Sequence, residues 1–408
     1  MPDRTVLISG AGIAGPTLAY WLQRAGFAPT IVEQAPALRT GGYVIDFWGL
    51  GYDIAERMGL IEAIKRAGYH ARELRIVDDR GHRIAGFGTR VFDELTNGRY
   101  VTIARSGLSR LLFEAAESGT ETIFGDEVSG LEQTAEDVQV CFQSGRVRRF
   151  DLVVGADGLH SRVRHLVFGP ERQFEKHLGY AVGAFETSGY RPRDEDVYVM
   201  YGKPGRMLGR FTLKDDRALF LFVLANGGNP LPQTLDSQKA LLRETYRNDK
   251  WEVSHILQEL DQTNELYFDS VSQIRMPAWS KGRVALIGDA AFCVSLLAGQ
   301  GSALAMISAY ALAGELAGAS DHREAFAQYE ARLRAYIAMK QKGAEMFAGA
   351  FAPRTPWGLW FRNQVIRAFA VPGVARVAVG REIADRLPLP DYPWRRRQEA
   401  PLPPGALH

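Results

Sequence analysis

The six residues Gly10-Ala11-Gly12-Ile13-Ala14-Gly15 stand between a short apolar run at 5–9 and a helical pattern at 13–25, and this placement restricts the fold more than any other feature. Glycine at the first, third and sixth positions of a strand-to-helix turn is the signature of a dinucleotide-binding βαβ unit in a parallel sheet. Gly10 permits the tight turn, Gly12 lets main chain approach a pyrophosphate, and Gly15 allows close helix–sheet contact. The amides around Ile13 and Ala14 and the positive end of the helix dipole then face a diphosphate. Pro16 falls in the first helical turn, where its missing amide hydrogen costs little.

Glu33 closes the next strand, at 30–33, where an acidic side chain can accept hydrogen bonds from an adenosine ribose; Gln34 follows it. An acid there disfavours a 2′-phosphate. These features together do not separate FAD from NAD. Two later segments do. Residues 284–291, VALIGDAA, read as a buried strand that delivers Asp289 to its carboxyl end, where open parallel sheets bind ligands and a polyol hydroxyl could be held. Next, Ala298-Gly299-Gln300-Gly301-Ser302 precedes a helix of small apolar residues, so its amides can face an electron-rich ring edge, as reduced flavin requires near N1 and the C2 carbonyl. A third segment, 151–158 (DLVVGADG), ends a strand in a small-residue turn carrying Asp157, with Ser161, Arg162 and Arg164 beyond. Alone, Asp289 also fits a helix N-cap, and the third segment also fits a hairpin turn with surface arginines.

The rest of the chain reads as an α/β protein with an inserted antiparallel sheet. Residues 34–50 read as a glycine-rich connection, 52–58 and 61–67 as a short helical pair, and 174–275 as period-two strands. Phe211, Phe220, Phe222 and Leu224 of that sheet are candidates to roof a dry chamber, although alternating aromatics in a sheet are more often plain core. Helical patterns follow at 302–316, 323–346 and 357–370, the last carrying Trp357, Trp360, Phe361 and Val365 near Arg362 and Arg367, which read as ordinary helix packing, with a peripheral membrane contact as the other reading.

With 49 basic and 47 acidic residues, nothing points to nucleic acid; the run Arg395-Arg396-Arg397 is expected to be a solvated tail. Two separated cysteines, Cys141 and Cys293, give neither a disulfide framework nor a metal motif. Without a signal-peptide pattern or a run of about 18 apolar residues, a reducing, cytoplasmic setting and no stable membrane insertion are expected.

In this order and spacing, GAGIAG with Glu33, the GADG segment and the GDAA segment resemble the class A FAD-dependent monooxygenases, the para-hydroxybenzoate hydroxylase type. Within them the chain is similar to the short branch of tetracycline-inactivating and antibiotic-tailoring enzymes. The resemblance implies a glutathione-reductase-type, Rossmann-like FAD domain (1–71, 100–173, 276–320), an antiparallel-sheet substrate domain (72–99, 174–275) and a carboxy-terminal helical region (321–408) whose long helix joins the two. It carries Gly10, Gly12 and Gly15 to the diphosphate, Glu33 to the ribose, Asp289 to the ribityl chain, and Gly299, Gly301 and Ser302 to the flavin ring. It adds Arg39 and Arg105 as FAD contacts and links Asp157 both to FAD and to transient nicotinamide binding. One departure bears on substrate orientation: Phe292, Val294 and Ser295 stand where many members have histidine and prolines.

The activity so implied is hydroxylation of an aromatic or polyketide-like small molecule through a C4a-hydroperoxyflavin, with O2 as co-substrate. There is one dinucleotide fingerprint and no second βαβ unit, so NADPH or NADH binds only transiently. No general-base constellation stands out, so catalytic residues stay unassigned; activation by the substrate's own phenol or enol would make a protein base unnecessary. The alternative is an FAD-dependent reductase or dehydrogenase on the same scaffold. A monomer or homodimer is expected.

Overall fold

The computed structural model describes residues 4–39, 41, 43–90, 94, 96–369, 387–392 and 394. The arginine run 395–397 lies outside the described residues. Five strands, β1 (Arg4–Ser9), β2 (Phe27–Glu33), β7 (Glu121–Phe124), β11 (Leu152–Gly155) and β18 (Val284–Leu286), run parallel. The short β17 (Ser280–Lys281) closes one edge antiparallel, in the order β17-β18-β11-β1-β2-β7. Val6, Leu7 and Ile8 of β1 are fully buried, as a parallel strand covered on both faces requires.

Helix α1 (Ala14–Ala25) starts where the glycine turn ends and stops at Gly26, whose left-handed φ of 81° lets its amide cap the last turn. The pair α2 (Gly49–Arg57) and α3 (Ile61–Ala67) follows, then α4 (Arg105–Glu117) and α5 (Arg162–Phe168). Near the end of the parallel sheet come the single turn α8 (Asp289–Phe292) and α9 (Gly301–Gly318). Apolar on every side, α9 is buried from Leu304 to Leu316, lying in the core rather than on the surface.

The second large sheet has the order β16-β12-β15-β14-β13-β4-β5. Its strands are β4 (Glu73–Val77), β5 (Arg83–Gly88), β12 (Glu175–Ser188), β13 (Val197–Lys203), β14 (Arg206–Thr212), β15 (Arg217–Ala225) and β16 (Tyr267–Ile274). All neighbours pair antiparallel except β13 with β4. Two smaller sheets complete the strands among the described residues: β8 (Val128–Gln133), β9 (Val138–Phe142) and β10 (Val147–Phe150) as a three-stranded sheet, and β3 (Val44–Trp48) with β6 (Tyr100–Ala104) as an antiparallel ribbon.

Two expectations need correction. The connection 34–50 contains a strand, β3, because Val44, Asp46 and Trp48 alternate with the buried Ile45 and Phe47, a period the surrounding glycines hide. The segment 174–275 is not strand alone: it includes α6 (Leu235–Tyr246) and α7 (Val253–Gln262). These helices cover one face of the seven-stranded sheet and bury Phe220, Phe222 and Leu224 against Leu242, Tyr246, Ile256 and Leu260. Of the four candidate roofing residues only Phe211 looks the other way, since strand neighbours alternate faces.

The long helix α10 (His322–Phe351) ties the two sheets together. Tyr329 donates to the Leu286 carbonyl at 3.0 Å in the parallel sheet. Farther along, Glu345 pairs with Lys176 of β12 at 2.8 Å, and the Ala352 carbonyl just past the helix accepts from Tyr180 at 3.1 Å. Helix α11 (Pro356–Ala368) then lies by β5 and β13, with Arg367 donating to the Ile84 carbonyl at 2.7 Å. Its outer stripe is not packed as expected: Trp357 is 78% exposed and Phe361 65%. Among the described residues no helix is long and apolar enough to cross a membrane.

Candidate cofactor and substrate site

The glycine turn is held by main-chain clearance. Gly10 has φ 107°, and a Cβ there would sit 2.6 Å from the Ala156 carbonyl oxygen; one on Gly15 would sit 2.0 Å from the Gly10 carbonyl oxygen. Neither position tolerates a side chain, because the obstructing atoms are backbone. Gly12 differs: a Cβ there would meet only the Arg105 Nη2, at 3.8 Å, so this stretch of main chain faces open space. Here the residues form the kind of concave, amide-lined surface a diphosphate needs.

Glu33 ties β2 to the turn. Its Oε2 accepts from the Ala11 amide at 2.9 Å and its Oε1 from the Ala35 amide at 3.0 Å. A carboxylate has about four acceptor directions, so capacity for hydroxyl donors is left over. Gln34 and Arg39 are exposed on the loop beyond β2. Ser109 of α4 donates to the Gly12 carbonyl at 3.2 Å, a support that no sequence motif announced.

Asp289 opens α8 after Gly288, whose φ is 58°. Burial pushes its carboxyl above the usual range, opposed by the charge of Arg105. Gly301 lies across from it, with its Cβ position 3.8 and 4.0 Å from the two carboxylate oxygens. Gly299 turns in the left-handed region at φ 66°, and Gly301 and Ser302 form the start of α9. The structure therefore brings Arg105, Asp289 and the 299–302 turn together at the carboxyl ends of β1 and β18. A desolvated carboxylate facing a glycine fits hydroxyl-bearing ligands, which donate to it without adding charge.

The segment after Asp289 is fixed from outside. Gln341 of α10 donates to the Ile274 carbonyl at 2.8 Å and the Cys293 carbonyl at 3.2 Å, while Gln273 donates to the Val294 carbonyl at 2.8 Å. Phe292 and Val294 are buried, and Ser295 takes φ 153° with its hydroxyl buried and unpaired among the described residues. These two glutamines hold in place a stretch that departs from the usual histidine and prolines.

Asp157 is placed differently from the other candidates. Its Oδ1 accepts from the Ser161 hydroxyl at 2.5 Å and its Oδ2 from the Val163 amide at 3.0 Å and, weakly, the Ser9 hydroxyl at 3.4 Å. The side chain thus closes the start of α5 behind the glycine turn. Arg164 is not a surface arginine: it is fully buried, donating to the Ala290 carbonyl at 3.0 Å and pairing with Glu171. His160, which carried no signal in the sequence, bridges Glu171 at 2.9 Å and Asp269 of β16 at 3.2 Å. Its two carboxylates raise its pKa to about 10. They lie 11 and 109 residues away, so only folding makes the cluster.

Residues 3–340 match the protein family described as FAD binding domain. A flavin-dependent monooxygenase of Legionella longbeachae is 35% identical over 83% of this chain and 87% of its own length. The chain belongs to the FAD-dependent monooxygenases. It is also 37% identical to an uncharacterized protein of Mycobacterium tuberculosis, over 83% of this chain and 92% of that one. Among solved structures it is similar to the tetracycline destructase Tet(55), with a TM-score of 0.83 and 30% identity over 96% of this chain and 99% of that one.

In this monooxygenase the ribbon β3–β6 faces the seven-stranded sheet beside the cradle. Val44, Asp46 and Ala104 look out from the ribbon; Tyr198, Met200, Gly209, Phe211 and Leu221 look back from the sheet. Met200, Leu221, Val44, Ala104 and Tyr43 stay only half-buried although they lie between two layers. Burial nevertheless raises the Tyr43 phenol to about 12 and pushes those of Tyr198 and Tyr267 well above the usual range. These half-buried groups border the space between the ribbon and the sheet. Gly209 leaves a gap in its wall: a Cβ there meets Leu221 Cβ at 3.7 Å and otherwise only main chain.

Proposed function

We propose that this monooxygenase hydroxylates a hydroxyl-bearing aromatic or polyketide-like small molecule, with NADH or NADPH as transient reductant. What supports the substrate class is the face between ribbon and sheet, where half-buried apolar residues stand with a few phenols and one acid near Arg105, Asp289 and the 299–302 turn. The likeness to proteins named tetracycline destructases supports the same class.

In this reading Gly10, Gly12, Ile13, Ala14 and Gly15 hold the diphosphate, and Glu33 and Gln34 the ribose end. Arg39 and Arg105 supply positive charge, Asp289 takes the ribityl hydroxyls, and Gly299, Gly301 and Ser302 meet the ring. Asp157 acts through the turn it closes. FAD, when bound, supplies hydride acceptance and oxygen activation. The chain's own part is to orient the substrate over the ring and keep water out, which the walls at Val44, Ala104, Met200, Phe211 and Leu221 serve. Residues 72–99 and 174–275 then form the substrate domain, and 1–71, 100–173 and 276–320 the FAD domain. We read the protein as cytoplasmic, a monomer or homodimer.

Turnover under 18O2 tests the function. One labelled oxygen atom per product and one nicotinamide oxidised per turnover are expected. Unlabelled product, or equal product without oxygen, would replace hydroxylation with hydride transfer on the same scaffold.

A further inference from the structure

Asp46 is the one acid on the chamber-facing side of the ribbon, and its two oxygens are used unequally. Its Oδ1 accepts three hydroxyls: Tyr100 at 2.6 Å, Thr102 at 2.7 Å and Tyr198 at 3.3 Å. Its Oδ2 accepts from no donor among the described residues. The Tyr198 ring is itself pinned by stacking on Phe211 at 4.2 Å, so the sheet and the ribbon meet at this carboxylate. Asp46 is half-buried, so this second oxygen is open to a donor arriving between the ribbon and the sheet.

The position suits a ligand that also reaches the cradle. Asp46 pairs with Thr102, and Val44 with Ala104, the residue before Arg105. The two pairs are two positions apart along the strands, so the acid lies about 7 Å along the ribbon from the cradle's edge. A fused aromatic system spans that distance.

We propose that Asp46 is the polar anchor of the substrate chamber, its Oδ2 accepting the hydrogen of a phenol or enol on the aromatic substrate while Tyr100, Thr102 and Tyr198 hold the carboxylate in place. This rests on the reading of the chamber as the aromatic substrate's site. It makes the enzyme selective for hydroxyl-bearing rings over their methyl ethers, because an ether offers no hydrogen to the carboxylate.

The FAD-loaded protein is titrated with 2-naphthol and with 2-methoxynaphthalene, reading the flavin absorbance, in the wild type and in Asp46→Asn. The wild type should bind the naphthol about tenfold more tightly than its ether, the worth of one hydrogen bond to a charged acceptor. In Asp46→Asn the preference should fall to within about threefold, with FAD affinity unchanged, since the amide is a weaker acceptor. If the wild type binds both probes equally, the chamber takes aromatics but Asp46 is no anchor. A preference that persists in Asp46→Asn places the hydroxyl elsewhere and overturns the anchor alone. If neither probe perturbs the FAD-loaded wild type, the anchor and the aromatic reading both fall. The wild-type comparison needs no variant, so it stands even where Asp46→Asn does not fold.

Discussion

The two sides of this site are built from different materials. The cradle is main chain: a strand end, three glycines and two helix starts, with Glu33 and Asp289 as its acids. The chamber is side chain: a ribbon from residues near 44 and 104 set against strands from residues near 200, 210 and 220. Main-chain geometry is specified locally, by which residues allow a turn, and substitutions there act through steric exclusion. A side-chain wall is specified by pairing between distant strands and can change without disturbing the turn. One protein can therefore keep a fixed cofactor seat while its substrate preference varies.

The largest effect should come from the cradle. Gly15→Ala sets a methyl group against the Gly10 carbonyl, where a Cβ would lie 2.0 Å away and both groups are backbone. The cost should be about 3 kcal/mol or more. The FAD-to-protein ratio after gel filtration should fall close to zero, with a lower Tm. Retention of FAD at wild-type affinity would show that clearance at this turn does not govern binding.

Asp289→Ala should weaken FAD by roughly tenfold to a hundredfold, about 1.5–3 kcal/mol for hydrogen bonds to a charged acceptor, with the fold intact by circular dichroism. An unchanged Kd would mean that the aspartate only starts α8.

On the other side of the comparison, Gly209→Leu adds a side chain where the backbone is unstrained and neighbouring contacts are ordinary. It should fill the chamber and lower kcat/KM for substrate-stimulated nicotinamide oxidation by about tenfold, about 1.4 kcal/mol. FAD affinity should stay put. If FAD binding falls and turnover of the remaining holoenzyme does not, the two sides are not separable in the way described.

The smallest effect concerns the seam between the sheets. His160 is raised above its ordinary value by Asp269 and Glu171, so its contribution to stability is full below about pH 6.5. That contribution declines as pH rises and is lost through about 10, the folded-state value. The side chain is 60% exposed, so solvent screening keeps the pair's worth at about 1 kcal/mol or less. The stability gap between wild type and His160→Gln, from urea titrations, should be widest near pH 6 and close near pH 10. A gap independent of pH would assign His160 a packing role only.

Much of the cradle was legible before folding. The glycine spacing, Glu33 at a strand end, and Asp289 after a buried apolar run each depend on neighbours within a few residues, which is the range over which turn and helix preferences act. The structure gathers Arg105, Asp289 and the 299–302 turn in one place. The chamber was legible only in part. Period two marked Phe211, Phe220, Phe222 and Leu224 as strand residues, but alternation alone does not say which face meets the cradle. That depended on α6 and α7, two helices that a run of strong strand signals had masked.

Asp157 and Arg164 show a second limit. Both stand in a motif that reads as a ligand turn or a surface turn, and the fold uses the acid to close α5 and buries the arginine against Ala290 and Glu171. A charged side chain's fate depends on whether a partner is delivered to it, and Glu171 and the carbonyl of Ala290 are delivered by different elements.

The sequence by itself determined the parallel sheet's opening, the glycine turn, the acids at two strand ends and the flavoprotein class, because these rest on local main-chain sterics and charge. Only the tertiary structure decided what the substrate meets. Asp46, Tyr100, Thr102 and Tyr198 lie on three strands far apart in the chain, and their hydroxyls reach one carboxylate oxygen only because ribbon and sheet pack face to face. Strand pairing and layer packing are long-range choices, and no window of residues carries them.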